Sequence, residues 1–262
     1  MGVRDCRENV SEVIYLNRFF GKSENIFDDY IIIDGGDVNH IRNVLRMKAG
    51  DELIVTGVGG CEYRCSIREF ADEQVMLDIL SASDADTELS AKVYLFQGIP
   101  KGDKMETIIQ KCVELGVYEI VPVETRRSVV KLDASKKKSK TARWQAISES
   151  AAKQSHRGIV PKVSPVMSFG EALSYASDMD VKLIPYELCE GMDATRKAVE
   201  SIKDGDRVAV FIGPEGGFEA DEISEAAAKS FCPVSLGRRI LRTETAGMTV
   251  MSVIMYTLET KR

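Results

Sequence analysis

Two segments near the C-terminus concentrate residue types that could run chemistry. Ile212-Gly213-Pro214-Glu215-Gly216-Gly217-Phe218 sets three glycines, a proline and a carboxylate side by side. Leu236-Gly237-Arg238-Arg239-Ile240-Leu241-Arg242-Thr243-Glu244-Thr245 mixes three arginines with two aliphatic residues and a second carboxylate. Clustered glycines let backbone approach a ligand, or another chain segment, closely. The first loop is neither GxGxxG nor a Walker A loop, since no Gly-Lys-Ser/Thr follows. Pro214 removes a donor and stiffens the turn, which suits a cradle for an uncharged ring. A phosphate would need free N–H groups at a helix start. A plain tight turn stays open as the alternative. In the second segment, Ile240 and Leu241 would wall a pocket while the arginines face an anion. Salt bridges from those arginines to Glu244 or Glu215 are the competing explanation.

Other chemistries have little support. The two histidines, His40 and His156, exclude a multi-histidine metal site, and no CxxC pair occurs among the six cysteines. Cys61 and Cys65 fall on one face of a strand-like stretch, where buried free thiols are the expectation. No apolar run is long enough to span a bilayer, and the first sixteen residues lack a signal-peptide core. Met1-Gly2 begins like a myristoylation motif, but Cys6 stands where Ser or Thr is needed. A reducing, cytoplasmic setting is the expected one.

The net charge of −6 argues against a nucleic-acid partner when read whole. It is unevenly spread: residues 126–162 hold eleven basic and two acidic residues, a balance of +9. This block reads either as a solvated helix with a lysine loop at Lys136–Lys140, or as an anion-binding strip. Trp144, the only tryptophan, lies inside it and would stack on a base or pack a helix.

The elements that would position these residues fall into two patterns. Tyr30–Ile33, Glu52–Val58, Glu62–Phe70 and Gln74–Leu80 are rich in β-formers. One helix interrupts them, capped by Asp37, with Ile41, Val44 and Leu45 on one face. That suggests a small β-barrel. The polar stretch 81–90 reads as a linker. Beyond it strands and helices alternate, which predicts a mostly parallel sheet covered by helices. The strands are Lys92–Gln97, Glu119–Val123, Val181–Pro185, Arg207–Ile212 and Pro233–Leu236. The helices run from Asp103, as cap, to Gly116, then over Thr141–Gln154, Ala194–Ile202, Ala220–Lys229 and Thr243–Leu258. In such a sheet ligands bind beyond the carboxyl ends of the strands, where the loops after Pro185, Ile212 and Leu236 would meet.

The two C-terminal motifs together resemble the SPOUT methyltransferases, and more closely the 16S ribosomal RNA (uracil-N3)-methyltransferase, or RsmE, family. Arg18-Phe19-Phe20, His40–Arg46, Gln97-Gly98 with Lys101 to Lys104, Glu114–Val117, Arg127-Ser128-Val129, Arg143-Trp144, Gln154-Ser155, Arg157 and Pro161 follow in the expected order. The resemblance spans nearly the whole chain from Asn17. Two features depart from it: the first sixteen residues precede the usual start, and His156 stands where a small residue, often glycine, is expected.

The resemblance implies an N-terminal extension (1–16), a PUA-like RNA-binding β-barrel (17–80), a linker (81–90) and a SPOUT α/β domain with a deep trefoil knot (91–262). It implies a homodimer that binds S-adenosylmethionine through Pro185, Glu187, Ile212, Gly213, Pro214, Gly216, Gly217, Leu236, Gly237, Ile240, Leu241 and Arg242. The reaction would be methylation of a uridine N3 in 16S rRNA within the small ribosomal subunit. Arg242 is the first catalytic candidate, with Glu244 and Glu215 as candidate bases. Arg18, Arg42, Arg46, Arg126, Arg127, Lys137, Lys153, Gln154 and Arg157 would contact RNA. A non-catalytic RNA-binding or ribosome-assembly protein, an α/β enzyme for another nucleotide-like ligand, and a SPOUT enzyme with another RNA target remain open.

Overall fold

The computed structural model describes residues 16–57, 59–84, 87–189 and 191–261. The expected N-terminal extension, with Cys6, lies almost wholly outside them. The chain divides into two compact units between residues 85 and 86.

The first unit is built on β1 (Asn17–Phe20), β2 (Tyr30–Asp34), β3 (Glu52–Thr56), β4 (Cys61–Phe70) and β5 (Gln74–Asp84), hydrogen-bonded in the order β1-β3-β4-β5-β2. Every strand sends alternate residues inward, as a period of two demands. Ile31 and Ile33, Leu53 and Val55, Cys65 and Ile67, Val75 and Leu77 fill one core with Phe19. Two expectations fail here. β5 runs on to Asp84 and pairs residues 81–84 with β4, so the first part of the expected linker is strand. A register shift between Arg64 and Cys65 interrupts the common face expected for Cys61 and Cys65, leaving Cys65 buried and Cys61 half-buried.

The interrupting helix α1 (Gly36–Asn39) begins after Gly35, so Asp37 lies inside its first turn rather than capping it. It widens into a π-helical turn at His40–Val44. The wider turn keeps Ile41 in the core, with Leu45 packed on it, but carries Val44 out to 61% exposure.

The second unit is a seven-stranded sheet of β6 (Lys92–Gly98), β7 (Glu119–Glu124), β8 (Lys162–Val163), β9 (Met167–Ser168), β10 (Val181–Pro185), β11 (Arg207–Ile212) and β12 (Cys232–Val234). Its order is β12-β10-β11-β6-β7-β8, with β9 also on β7, and every pairing is parallel. The helices are α2 (Lys104–Glu114), α3 (Ala134–Gln154), α4 (Phe169–Tyr175), α5 (Asp193–Glu200), α6 (Ala220–Ala228) and α7 (Thr243–Glu259). β6 and β11 are buried on both faces, which explains their unbroken apolar runs. On one face Phe96 stacks on Phe211 at 4.3 Å, and Phe169 and Phe231 meet Phe211 edge-on. On the other, α7 packs on α2, α5 and β11.

α3 corrects the expected loop at Lys136–Lys140. Asp133 caps the helix by accepting from the Lys136 amide at 2.8 Å, and the lysines form its first turns. Lysine is a good helix former, so a capped lysine run continues a helix rather than breaking it. Trp144, Ser148, Ala151 and Ala152 make its buried stripe, which commits Trp144 to packing and removes it as a base-stacking surface. The Asp103 side chain does not cap α2.

Candidate active site

β12, β10 and β11 lie side by side and run the same way, so their carboxyl ends share one edge. A cleft of about 420 Å³ opens there, within the range of small-molecule sites. Its walls are the three segments that leave those strands: Pro185–Glu187, Ile212–Phe218 and Ser235–Thr243. Of the residues expected to hold a cofactor, Pro185, Glu187, Ile212, Gly213, Pro214, Gly217, Leu236, Gly237, Ile240, Leu241 and Arg242 all line it.

Gly216 does not. A Cβ there would meet the Arg127 side chain at 3.1 Å, and its carbonyl accepts from the Arg127 guanidinium at 2.8 Å. Gly216 therefore backs onto Arg127 rather than onto the cleft. Gly217 and Gly237 adopt φ of +68° and +110°, the left-handed region that favours glycine. A Cβ on Gly213 would stand 3.0 Å from the Gly217 backbone, so the loop closes on itself tightly. Ile240 lines the cleft yet is 86% exposed, a rim rather than a wall.

The carboxylates are paired, but not with the arginines. Lys104, the first residue of α2, reaches Glu215 at 2.8 Å and Glu244 at 3.8 Å. Glu215 also accepts from the Lys101 amide at 3.1 Å. Burial would raise the Glu215 pKa, but the Lys104 ammonium and the backbone donors outweigh it and hold the carboxyl below its ordinary value. A lowered carboxyl is a weaker proton acceptor, so the Lys104 pairing argues against Glu215 as the base. Arg242 is exposed at the N-cap of α7 and, among the described residues, makes no ion pair or hydrogen bond through its side chain. Its guanidinium is available to a ligand.

Lys104, Tyr186, Ser235 and Thr243 also line the cleft, and none of them is among the expected site residues. Thr243 is buried at the first turn of α7, and its position beside Arg242 is the one signal that could have found it.

The expected RNA contacts divide. Arg157 is corrected outright. It is 3% exposed, pairs with Glu88 at 2.5 Å, and donates to the carbonyls of Val113 at 2.6 Å and Val117 at 2.9 Å. It is a structural clasp with no reach to solvent. Arg127 braces the glycine loop to α6 through Glu219 at 2.9 Å, and Lys137 pairs with Glu124 at 2.7 Å. Arg126 pairs with Asp221 at 3.0 Å and Lys153 with Glu149 at 3.0 Å. Gln154 is exposed. In the first unit, Arg18 pairs with Glu62, while Arg42 donates to the Ala71 and Asp72 carbonyls and lies over the Phe70 ring. Arg46 is exposed with φ of +55°. His156, exposed, has φ of +57° after α3, a left-handed turn that explains why a glycine is expected there.

Among the described residues no helix is long and apolar enough to cross a membrane, and no group of His, Cys, Asp and Glu could hold a metal.

A parallel sheet with backbone-rich loops closing a cleft at one edge, in a chain that also carries a small sheet unit, defines an α/β protein with a ligand site at its strand ends. The family model for the RNA methyltransferase domain matches residues 87–255, and that for the RNA methyltransferase PUA domain matches residues 33–69. The chain is 39% identical over 233 residues to ribosomal RNA small subunit methyltransferase E of Bacillus subtilis, covering 88% of this chain and 91% of that one. It is 31% identical to the Synechocystis protein of the same name, over 95% and 80% of the two chains. Among solved structures, methyltransferase E of Neisseria gonorrhoeae bound to S-adenosyl methionine superposes with a TM-score of 0.80 at 30% identity, over 92% and 98% of the chains. A Legionella pneumophila methyltransferase in complex with the same cofactor gives 0.82 at 32%, over 93% and 98%. This chain belongs to the ribosomal RNA small subunit methyltransferase E family.

Proposed function

We propose that this protein methylates N3 of a uridine in the decoding region of 16S rRNA, within the small ribosomal subunit, using S-adenosylmethionine. The observation that carries the reading is the cleft at the β12-β10-β11 edge, closed by glycine-bearing backbone with an uncommitted Arg242 at its mouth. The residues present fit that cofactor. The Gly213, Gly217 and Gly237 backbone brings polar groups close without side chains, while Ile212, Leu236 and Leu241 supply apolar wall. Bound there, S-adenosylmethionine would supply a methyl group on a positively charged sulfur.

The chain's own residues act by positioning, which dominates a displacement of this kind. The target base must leave its pair, because N3 lies on the Watson–Crick edge, and the N3 proton must depart. Negative charge then spreads to the ring oxygens, where Arg242 would stabilise it. Glu244, with one oxygen buried and without a hydrogen bond, is the remaining carboxylate candidate to receive the proton. The phosphates would be met by cations that have no carboxylate partner among the described residues, Arg46 on the first unit and Lys131 and Lys138 on the second.

Exposed Tyr256 and Val253 on α7, with Leu188 and Ile240, support a homodimer. The SPOUT knot rests on the resemblance of the Ile212–Phe218 and Leu236–Thr245 motifs to that superfamily.

The test is mass spectrometry of rRNA from a deletion strain, followed by methylation of that strain's small subunits in vitro. One methyluridine disappears on deletion and returns with protein and cofactor. If none disappears, the assignment is wrong; binding of cofactor without turnover would instead mark a non-catalytic assembly role.

A further inference from the structure

Gln97 is a fully buried amide at the end of β6, on a strand whose other interior residues are apolar. Its Nε2 donates to the Gly98 carbonyl at 3.0 Å and to the Thr243 hydroxyl at 2.9 Å. The Thr243 hydroxyl donates in turn to the Gly213 carbonyl at 2.6 Å. The direction of this chain is forced. Gly213 O can only accept, so the hydroxyl hydrogen points to it, and the hydroxyl oxygen then needs a donor from Gln97. Three segments distant in sequence are thereby tied together: the end of β6, the start of the glycine loop and the start of α7.

The cost is visible. Gln97 Oε1 is buried without a hydrogen-bond partner, beside Gly247, where a Cβ would stand 3.5 Å away. An unpaired buried carbonyl detracts from stability, and a leucine of similar volume would not carry that cost. The backbone is equally constrained next door. A Cβ on Gly98 would stand 2.6 Å from both Pro214 N and Pro214 Cδ. The Gly213–Pro214 peptide is thus held from two sides. Because a peptide is planar, fixing the Gly213 carbonyl fixes the whole plane. Pro214 has no N–H and the Gly213 carbonyl accepts from Thr243, so this one peptide plane is committed to the protein while the neighbouring backbone stays open to the cleft.

We infer that Gln97 and Thr243 are positioning residues for the cofactor, holding the Gly213–Pro214 peptide in its binding orientation at a cost in folding stability. The inference rests on the reading of the cleft as the S-adenosylmethionine site.

The experiment compares the full-length wild type with Gln97→Leu, Thr243→Val and Thr243→Ser. Calorimetry with S-adenosylmethionine and with its demethylated product gives Kd, thermal unfolding without ligand gives Tm, and steady-state assays give KM and kcat. Gln97→Leu should unfold at the wild-type temperature or above, yet bind both ligands at least tenfold more weakly. Thr243→Val should weaken binding at least tenfold, and Thr243→Ser, which keeps the hydroxyl, should stay within twofold of wild type. The loss should fall on KM for the cofactor, with kcat at saturation within threefold. Wild-type affinity in Gln97→Leu, or a weakening matched by a lowered Tm, overturns the inference. A wild type that binds neither ligand overturns the underlying reading instead.

Discussion

Gly98→Ala tests whether close backbone contact shapes the cleft. The added Cβ would lie 2.6 Å from Pro214 N and Cδ and 3.0 Å from Gly213 C. Ordinary contact begins near 3.4 Å, so about 0.8 Å of movement is required, and the obstructing atoms are backbone and a ring rather than a flexible side chain. Forcing one methyl into such packing costs about 1–3 kcal/mol. For a unit of this size that corresponds to roughly 2–12 °C in Tm. The shift falls on the glycine loop, and a displacement near 1 Å at a reacting site costs on the order of 10²-fold in rate. Gly216→Ala is the matched comparison. Its Cβ would meet Arg127 Cβ, Cδ and Cγ at 3.1–3.7 Å, so a shift of about 0.3 Å relieves it. Thermal unfolding, calorimetry with S-adenosylmethionine and turnover on small subunits should therefore separate the two, with Gly98→Ala impaired in all three and Gly216→Ala close to wild type. Equal behaviour of the two variants, or wild-type binding by Gly98→Ala, would refute the close-contact account of the cleft.

Arg242→Ala should keep Tm and cofactor Kd, since the side chain has no partner among the described residues, while turnover falls by about 10²–10³-fold; unchanged turnover removes Arg242 from catalysis. Arg157→Met should lower Tm by roughly 6–12 °C, from about 3 kcal/mol for breaking a buried pair, without changing RNA affinity of the folded protein; reduced affinity at unchanged Tm would restore it as an RNA-binding residue. Changing Lys131, Lys138 and Lys140 to Gln should flatten the salt dependence of RNA binding, by about 0.7–0.9 in log–log slope for each phosphate no longer neutralised, whereas Lys137→Gln should leave the slope nearly intact. Glu215 has a lowered folded pKa, so its contribution to stability is present above the ordinary carboxylate range and fades as pH falls through the lowered value. Lys104→Met should shrink that acid-side destabilisation, and a Tm–pH profile identical to wild type would show that Lys104 does not hold the Glu215 carboxyl down.

The cleft was legible because its signals are local. Gly213, Pro214, Gly217 and Gly237 announce backbone geometry at their own positions, and the alternation of apolar strands and helices puts the three loops at one edge. Short elements were not legible from periodicity, since two residues at β8 or β9 carry none. α4 does carry a signal in its sequence: Ser168 and Glu171 form a capping box three residues apart, with the Ser168 amide donating to Glu171 at 2.8 Å. Val44 departs from expectation for a different reason. A spacing argument assumes 3.6 residues per turn, and the π-helical turn at His40–Val44 does not obey it.

The basic block shows where segment-by-segment reading fails even when its arithmetic is right. Of the eleven cations in residues 126–162, eight lie within ion-pair distance of a carboxylate: Arg126, Arg127, Lys136, Lys137, Arg143, Lys153, Arg157 and Lys162. Six of those carboxylates, Asp221, Glu219, Glu124, Glu106, Glu88 and Glu119, come from outside the block. A positive stretch of sequence is therefore not the same as a positive surface, because folding brings acidic residues to it from the rest of the chain. The whole-chain charge misleads in the opposite sense, by averaging over faces that an RNA never touches. Within the block, the cations left over after pairing among the described residues are Lys131 and Lys138, with Lys140 lying over the Trp144 ring at 5.7 Å. Those three, and not the count of eleven, should set this block's share of the salt dependence of RNA binding.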